Sequence, residues 1–150
     1  MLSVGALAPA FRADSTKGTI DLAEVMGRQP IVLIFYPMDD TPGCTKQLCA
    51  VRDAEPSYAG YGALVLGVNP GTLESHQKFA AKHNYDFPLI ADVDGRIRHL
   101  YEVGKTLGFL TQQRIVYIIG LDGRIVYAEK GLRPTEEILS ALEEISSKKD

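Results

Sequence analysis

Both cysteines of the chain, Cys44 and Cys49, fall in one stretch that reads FYPMDDTPGCTKQLC from Phe35 to Cys49. The apolar run IVLIFY stops at Pro37, so a buried strand gives way to a loop carrying two prolines, two aspartates and a threonine. The loop closes on Pro42-Gly43, and a Pro-free segment of helix-tolerant residues begins at Cys44. That places Cys44 at a helix N-terminus, where unpaired backbone N–H groups and the positive end of the helix dipole favour an anion. A reactive thiolate is expected there. Thr41, three residues earlier, can present a hydroxyl to the sulfur or to a substrate oxygen, while Pro37 and Pro42 shape a dry pocket wall without backbone donors.

An activated thiolate can attack a disulfide, a carbonyl, or the O–O bond of a peroxide. Acyl chemistry wants a histidine base, and none lies near the motif. Peroxide attack needs only a thiolate, hydrogen-bond donors and a cation, and it ends at a sulfenic acid that a nearby thiol condenses into a disulfide. Cys49 is the natural second thiol. On one helix, residues five apart are turned by roughly 500° and their alpha carbons are separated by roughly 8.6 Å. A disulfide tolerates roughly 7 Å without backbone movement. The spacing therefore predicts a switch: the first thiolate reacts while the helix is folded, and the second reaches it only after local unwinding.

The elements that must position these residues follow from the rest of the pattern. The 150 residues suit a single domain spanning 1–150, with 45% hydrophobic and 23% charged residues. A formal net charge of −3 gives no basic face for nucleic acid. The apolar runs are far shorter than the roughly 18 residues of a membrane helix. The start, MLSVGALAPAF, lacks the basic region of a secretory signal, so the expected location is cytoplasmic. In a reducing compartment two cysteines are more plausibly redox-active than structural.

Residues 11–22 read as a small hairpin, with Asp21 capping a helical turn over Leu22 to Met26. Ile31–Tyr36, apolar on both faces, is a central strand. A helix is expected over Thr45–Ala54, ended or kinked by Pro56, and a second core strand over Ala63–Val68. Thr72 is an N-cap for a helix carrying Leu73, His76, Phe79, Ala80 and His83. A short strand over 87–91 and a short helix around Ile97 to Tyr101 come next. Arg114–Gly120 and Arg124–Glu129 flank Leu121-Asp122-Gly123, a hairpin signal whose Asp-Gly supplies positive φ angles. Pro134 opens a last helix with Ile138, Leu142 and Ile145 as its apolar stripe. The succession predicts an α/β, thioredoxin-like fold: a mixed central β-sheet with helices on both faces.

PMDDTPGC is similar to the Pro-x-x-x-Thr-x-x-Cys signature of peroxiredoxins, and with CTKQLC the chain resembles their bacterioferritin comigratory protein, or Q-type, subfamily. The resemblance extends through VRD, SHQKFAAKHNYDFPLIAD and the arginine that opens RIVYIIGLDGRIVY. It implies a thioredoxin-dependent peroxidase for hydrogen peroxide and alkyl hydroperoxides. Cys44 would be the peroxidatic cysteine and Cys49 the resolving one, joined in an intramolecular disulfide that thioredoxin or a similar dithiol reopens. Thr41 would bond thiolate and peroxide, Pro37 would shield them, and Arg114 would favour the thiolate and polarise the peroxide. No cofactor or metal is implied, and the resemblance leans to a monomer, with a dimer as the alternative. Two departures stand out. Gln47 occupies a position where many relatives carry glutamate, and Asn69-Pro70 replaces a Ser-Asp-like pair.

Competing readings are a peroxide-sensing redox module and a thioredoxin-like disulfide oxidoreductase, the latter lacking its Cys-x-x-Cys. Without the resemblance, Arg114 reads as a strand-end surface charge and Thr41 as a cap. His76, His83 and His99 lack metal-ligand spacing, and the first two read as structural. Asp39 and Asp40 read as solvated loop charges, and Tyr36, Phe79 and Phe109 as core or pocket wall.

Overall fold

The computed structural model describes residues 1–105 and 111–148; Phe109, expected in the core or pocket wall, lies outside them. The elements in chain order are β1 (Arg12–Ser15), β2 (Gly18–Asp21), α1 (Leu22–Val25), β3 (Ile31–Phe35), α2 (Pro42–Asp53), α3 (Glu55–Gly60), β4 (Leu64–Asn69), α4 (Leu73–His83), β5 (Leu89–Ala91), α5 (Arg96–Leu100), β6 (Ile115–Ile119), β7 (Ile125–Lys130) and α6 (Thr135–Lys148). The strands form one sheet in the order β2-β1-β5-β4-β3-β6-β7. β3, β4 and β5 run parallel, β1 is antiparallel to β5, and β6 and β7 continue antiparallel from β3. This is the mixed, thioredoxin-like arrangement that the succession of elements predicts.

β3 is an interior strand of the described sheet, paired with β4 on one side and β6 on the other, and it buries both faces. Val32 and Ile34, with Tyr36 just beyond the strand, pack under α2, α3, α4 and α6, through Leu48, Val51, Tyr58, Phe79, Ile138 and Leu142. Ile31, Leu33 and Phe35 face the other way, onto Phe11, Leu22 of α1 and Ile97 of α5. A strand buried on both faces has no polar alternation to keep, which is why its sequence is a continuous apolar run. Each such side chain contributes roughly 1.5–3 kcal/mol of transfer free energy, so β3 is a firm base for the loop that follows it.

Two local features differ from the sequence reading. Pro56 does not merely end a helix: α2 stops at Asp53, and α3 restarts with the proline in its first turn. Proline lacks only a donor that the first turn would leave unpaired anyway, so it begins one helix as readily as it breaks another. In the β6–β7 hairpin, Gly123 has φ +79° but Asp122 is not left-handed. The Gly123 N–H bonds the Gly120 carbonyl at 3.0 Å. Ile118 pairs with Tyr127 and Ile119 with Ile125, which leaves Val126 as a bulge. One left-handed glycine plus a bulge closes this hairpin, in place of two positive φ angles. Among the described residues, no helix is long and apolar enough to cross a membrane.

Candidate active site

α2 carries both thiols, and its buried residues Cys44, Gln47, Leu48 and Val51 have the i, i+3, i+4, i+7 spacing of a single helical stripe. Cys44 is the third residue of the helix, with 0% exposure. Cys49 is five residues on, off that stripe and half-buried, and both thiols are free. With both on one unbroken helix, the geometry that forbids direct bridging applies to this chain.

Arg114, immediately before β6, is brought to α2 from seventy residues away. Its Nη2 donates to Cys44 Sγ at 3.5 Å. Its Nη1 donates to Gln47 Oε1. A delocalised cation against the sulfur stabilises negative charge there, and it adds to the positive end of α2. Gln47 is 6% exposed and supplies an oxygen without a charge. It orients the guanidinium and leaves its full positive charge for the sulfur. Gly43 permits this approach, because a Cβ on residue 43 would lie 3.2 Å from Arg114 Nη2.

Thr41 is the N-cap residue of α2, but its side chain does not cap the helix. Its hydroxyl donates to the Met38 carbonyl at 3.3 Å. It must turn off that carbonyl before it can donate to sulfur or substrate. Pro37 is half-buried and lines a cleft of about 320 Å³ with Met38, Asn69, Pro70 and Gly71.

The loop between β3 and α2 is held by residues whose roles are not visible in the sequence. Asp39, read there as a solvated charge, instead turns its side chain inward, leaving it 8% exposed. Its carboxylate accepts from Tyr36 Oη at 2.6 Å and Ser75 Oγ at 2.7 Å, and lies 2.6 Å from His76 Nδ1. Burial pushes its acidity toward the neutral form, but those bonds together outweigh burial and hold the carboxyl below the usual carboxylate range. Tyr36 is driven far above the ordinary phenol range, by burial first and by the Asp39 charge second.

His76 is fully buried, and its Nε2 meets the Asn69 carbonyl at 3.2 Å. With both ring nitrogens occupied by protein atoms, it fills the structural role expected of it. Asn69 Nδ2 and Gln112 Nε2 both donate to the Tyr36 carbonyl, at 2.8 Å and 3.0 Å. Asp40 does remain exposed, pairing with Lys82 at 3.0 Å, in a left-handed conformation at φ +61°. The signal that was available was a histidine inside the apolar stripe of α4; Asn69 stood out only as part of a departure from the family's pattern, and nothing marked Gln112.

Cys49 has a partner of its own. Its Sγ lies 3.2 Å from Tyr85 Oη, which also donates to the Thr45 carbonyl at 3.3 Å. Chemically, the site is a buried sulfur under a cation at the start of a helix, with a second thiol on the flank of that helix.

A family model described as "AhpC/TSA family" matches residues 4–128. Peroxiredoxin Bcp of Bacillus subtilis is 32% identical over 148 residues, which covers 95% of this chain and 94% of that protein. The chloroplastic peroxiredoxin Q of Triticum aestivum is 36% identical over 127 residues, 84% of this chain and 58% of the longer relative. Among solved structures, peroxidoxin BcpB from Mycobacterium tuberculosis superposes with a TM-score of 0.88 at 25% identity, covering 97% of this chain and 99% of that one. Peroxiredoxin Q of Xanthomonas campestris superposes with a TM-score of 0.82 at 26% identity, over 89% and 90% of the two chains.

Proposed function

The chain belongs to the AhpC/TSA family as a thiol-dependent peroxidase of the Bcp and Q type, and from that premise we propose that Cys44 is its peroxidatic thiol, Cys49 its resolving thiol, and Arg114, Thr41 and Pro37 the groups that arm and enclose the reaction. The observation that carries this assignment is the Arg114 guanidinium 3.5 Å from Cys44 Sγ. No local feature of the sequence required that contact, and it supplies the cation that peroxide attack needs.

The Cys44 thiolate attacks one peroxide oxygen. The O–O bond breaks, an S–O bond forms, and the departing hydroxide or alkoxide takes up a proton. Arg114 faces the sulfur as this charge moves outward, and the Thr41 hydroxyl, released from Met38, donates to the peroxide. Pro37 keeps water from the reacting face. The sulfenic acid then meets Cys49: an S–S bond forms, the S–O bond breaks, and the oxygen leaves as water with the Cys49 proton. α2 must unwind at its start for this step, because its two thiols are too far apart while it is wound. Thioredoxin or a similar dithiol reduces the disulfide and returns both thiols. Since both sulfurs lie in one helix, a monomer suffices. We place this single catalytic domain in the cytoplasm, where reduced thiols persist.

Following peroxide loss with thioredoxin, thioredoxin reductase and NADPH tests the reading. Wild type turns over continuously, Cys44→Ser is inactive, and Cys49→Ser completes one oxidation and stalls. Wild-type turnover by Cys44→Ser would overturn the assignment, and a single stoichiometric oxidation by wild type would favour a sensor.

A further inference from the structure

Tyr85 follows α4, where Asn84 takes a left-handed conformation (φ +58°, ψ +43°) and turns the chain back toward α2. The Tyr85 N–H then bonds the Ala80 carbonyl at 2.9 Å. Its ring has little freedom. It stacks on His83 with centroids 5.4 Å apart, meets Phe79 edge-on at 5.2 Å, and lies 5.3 Å from Phe87. The hydroxyl is thereby fixed in direction, and it points at one turn of α2. It donates to the Thr45 carbonyl at 3.3 Å and stands 3.2 Å from Cys49 Sγ.

Those two atoms belong to the same turn. In an α-helix the N–H of residue 49 bonds the carbonyl of residue 45, so the phenol touches both ends of a turn that must open for Cys49 to reach Cys44. With its own proton on Thr45, the phenol oxygen accepts the Cys49 S–H. A second tie runs alongside: Arg52 Nη1 donates to the His83 carbonyl at 2.8 Å.

We propose that Tyr85 is a positioning residue for the resolving step: a catch that holds the Thr45–Cys49 turn wound and so sets how long the Cys44 sulfenic acid lasts before Cys49 condenses with it. The proposal rests on the assignment of Cys44 and Cys49 above. Condensation forms the S–S bond and expels the sulfenic oxygen as water with the Cys49 proton. To begin it, the thiol leaves the phenol, which keeps its own proton throughout. While the catch is closed, a second peroxide has time to carry the sulfenic acid to sulfinic acid, which no thiol reverses. Tyr85 thus governs the balance between resolution and overoxidation.

Tyr85→Phe keeps the ring cluster and removes only the hydroxyl. One equivalent of peroxide is mixed with reduced wild type and variant, and sulfenic acid and disulfide are followed by quenched mass measurement. The sulfenic acid is expected to disappear about fivefold faster in the variant, the weight of one ordinary hydrogen bond. The peroxide concentration giving half-sulfinylation is expected to rise by a similar factor. Formation of the sulfenic acid keeps its rate, a split between the two steps that general loosening would not produce. Amide exchange of residues 45–49 in the reduced variant quickens by the same factor. Resolution at the wild-type rate or slower, or equal changes in both steps, would overturn the catch. Failure of the underlying assignment shows separately, as a wild type that forms no Cys44–Cys49 disulfide.

Discussion

Arg114 divides its guanidinium between two partners, Cys44 Sγ through Nη2 and the Gln47 oxygen through Nη1. On the proposed assignment only the first contact touches a reacting atom, so the two should differ in weight and be coupled. Arg114→Gln removes the cation and is expected to lower the rate constant for sulfenic acid formation on the order of 10²-fold, the scale of losing one preorganised charged donor. Gln47→Ala leaves the cation but frees its direction, with an expected loss of about tenfold. Because Gln47 acts through Arg114, the double variant should be no slower than Arg114→Gln alone. Stopped-flow oxidation of the four proteins checks this cycle, and additive losses would refute the coupling. Cys44, Cys49, Thr41 and Pro37 stand out in the sequence as candidates because they lie within one short motif. Arg114 became legible only by resemblance, since its contact depends on β6 pairing with β3. Asp39 was misread: Asp-Asp in a loop looks solvated until α4 brings Ser75 and His76 over it.

α2 is pinned unevenly, and that determines where it can open. Its start depends on Cys44, Gln47 and the catch at Tyr85, whereas its end runs at Ala54 into α3, whose Tyr58 is 1% exposed within the core. Unwinding on disulfide formation should therefore begin at residue 44 and stop before α3. Amide exchange comparing reduced and disulfide forms is expected to show lost protection across 44–53 and unchanged protection at 57–60. Intact protection across the oxidised α2 would count against the motion, and loss extending through α3 would count against the boundary. The helix itself was legible from its helix-tolerant residues and the absence of proline between 43 and 55. α3 was not, because a proline reads as a stop unless one knows that an independent turn begins beneath it. The β6–β7 hairpin was legible as a hairpin, while its bulge depends on how Ile119 and Ile125 register in the sheet.

Across the whole molecule, the sheet joins two carboxylates that respond to acid in the same sense. Asp39 ties the loop between β3 and α2 to α4, and Glu137 ties α6 to β7 by accepting from Arg133 at 2.6 Å and 2.8 Å and from Tyr127 at 2.6 Å. The bonds from Arg133 first, then Tyr127, hold Glu137 at about 2, below its ordinary 4.5, and Asp39 is likewise held below 3.8. A carboxylate depressed in the folded state binds fewer protons than it does when unfolded. Its stabilisation is present in full above the unfolded value and is lost as pH falls through the folded one. For Glu137 that window runs from about 4.5 down to about 2, and Asp39 adds to its lower part. The thermal midpoint should therefore vary little through these groups above pH 5 and fall below it. Glu137→Gln should start lower at pH 7 and decline more gently, so that the two curves converge toward pH 2. The difference will be small, because Glu137 is partly open to solvent and screened. Scanning calorimetry of both proteins from pH 7 to pH 2.5 measures it, and parallel curves would show that the Arg133–Glu137–Tyr127 cluster does not bind α6 to the sheet.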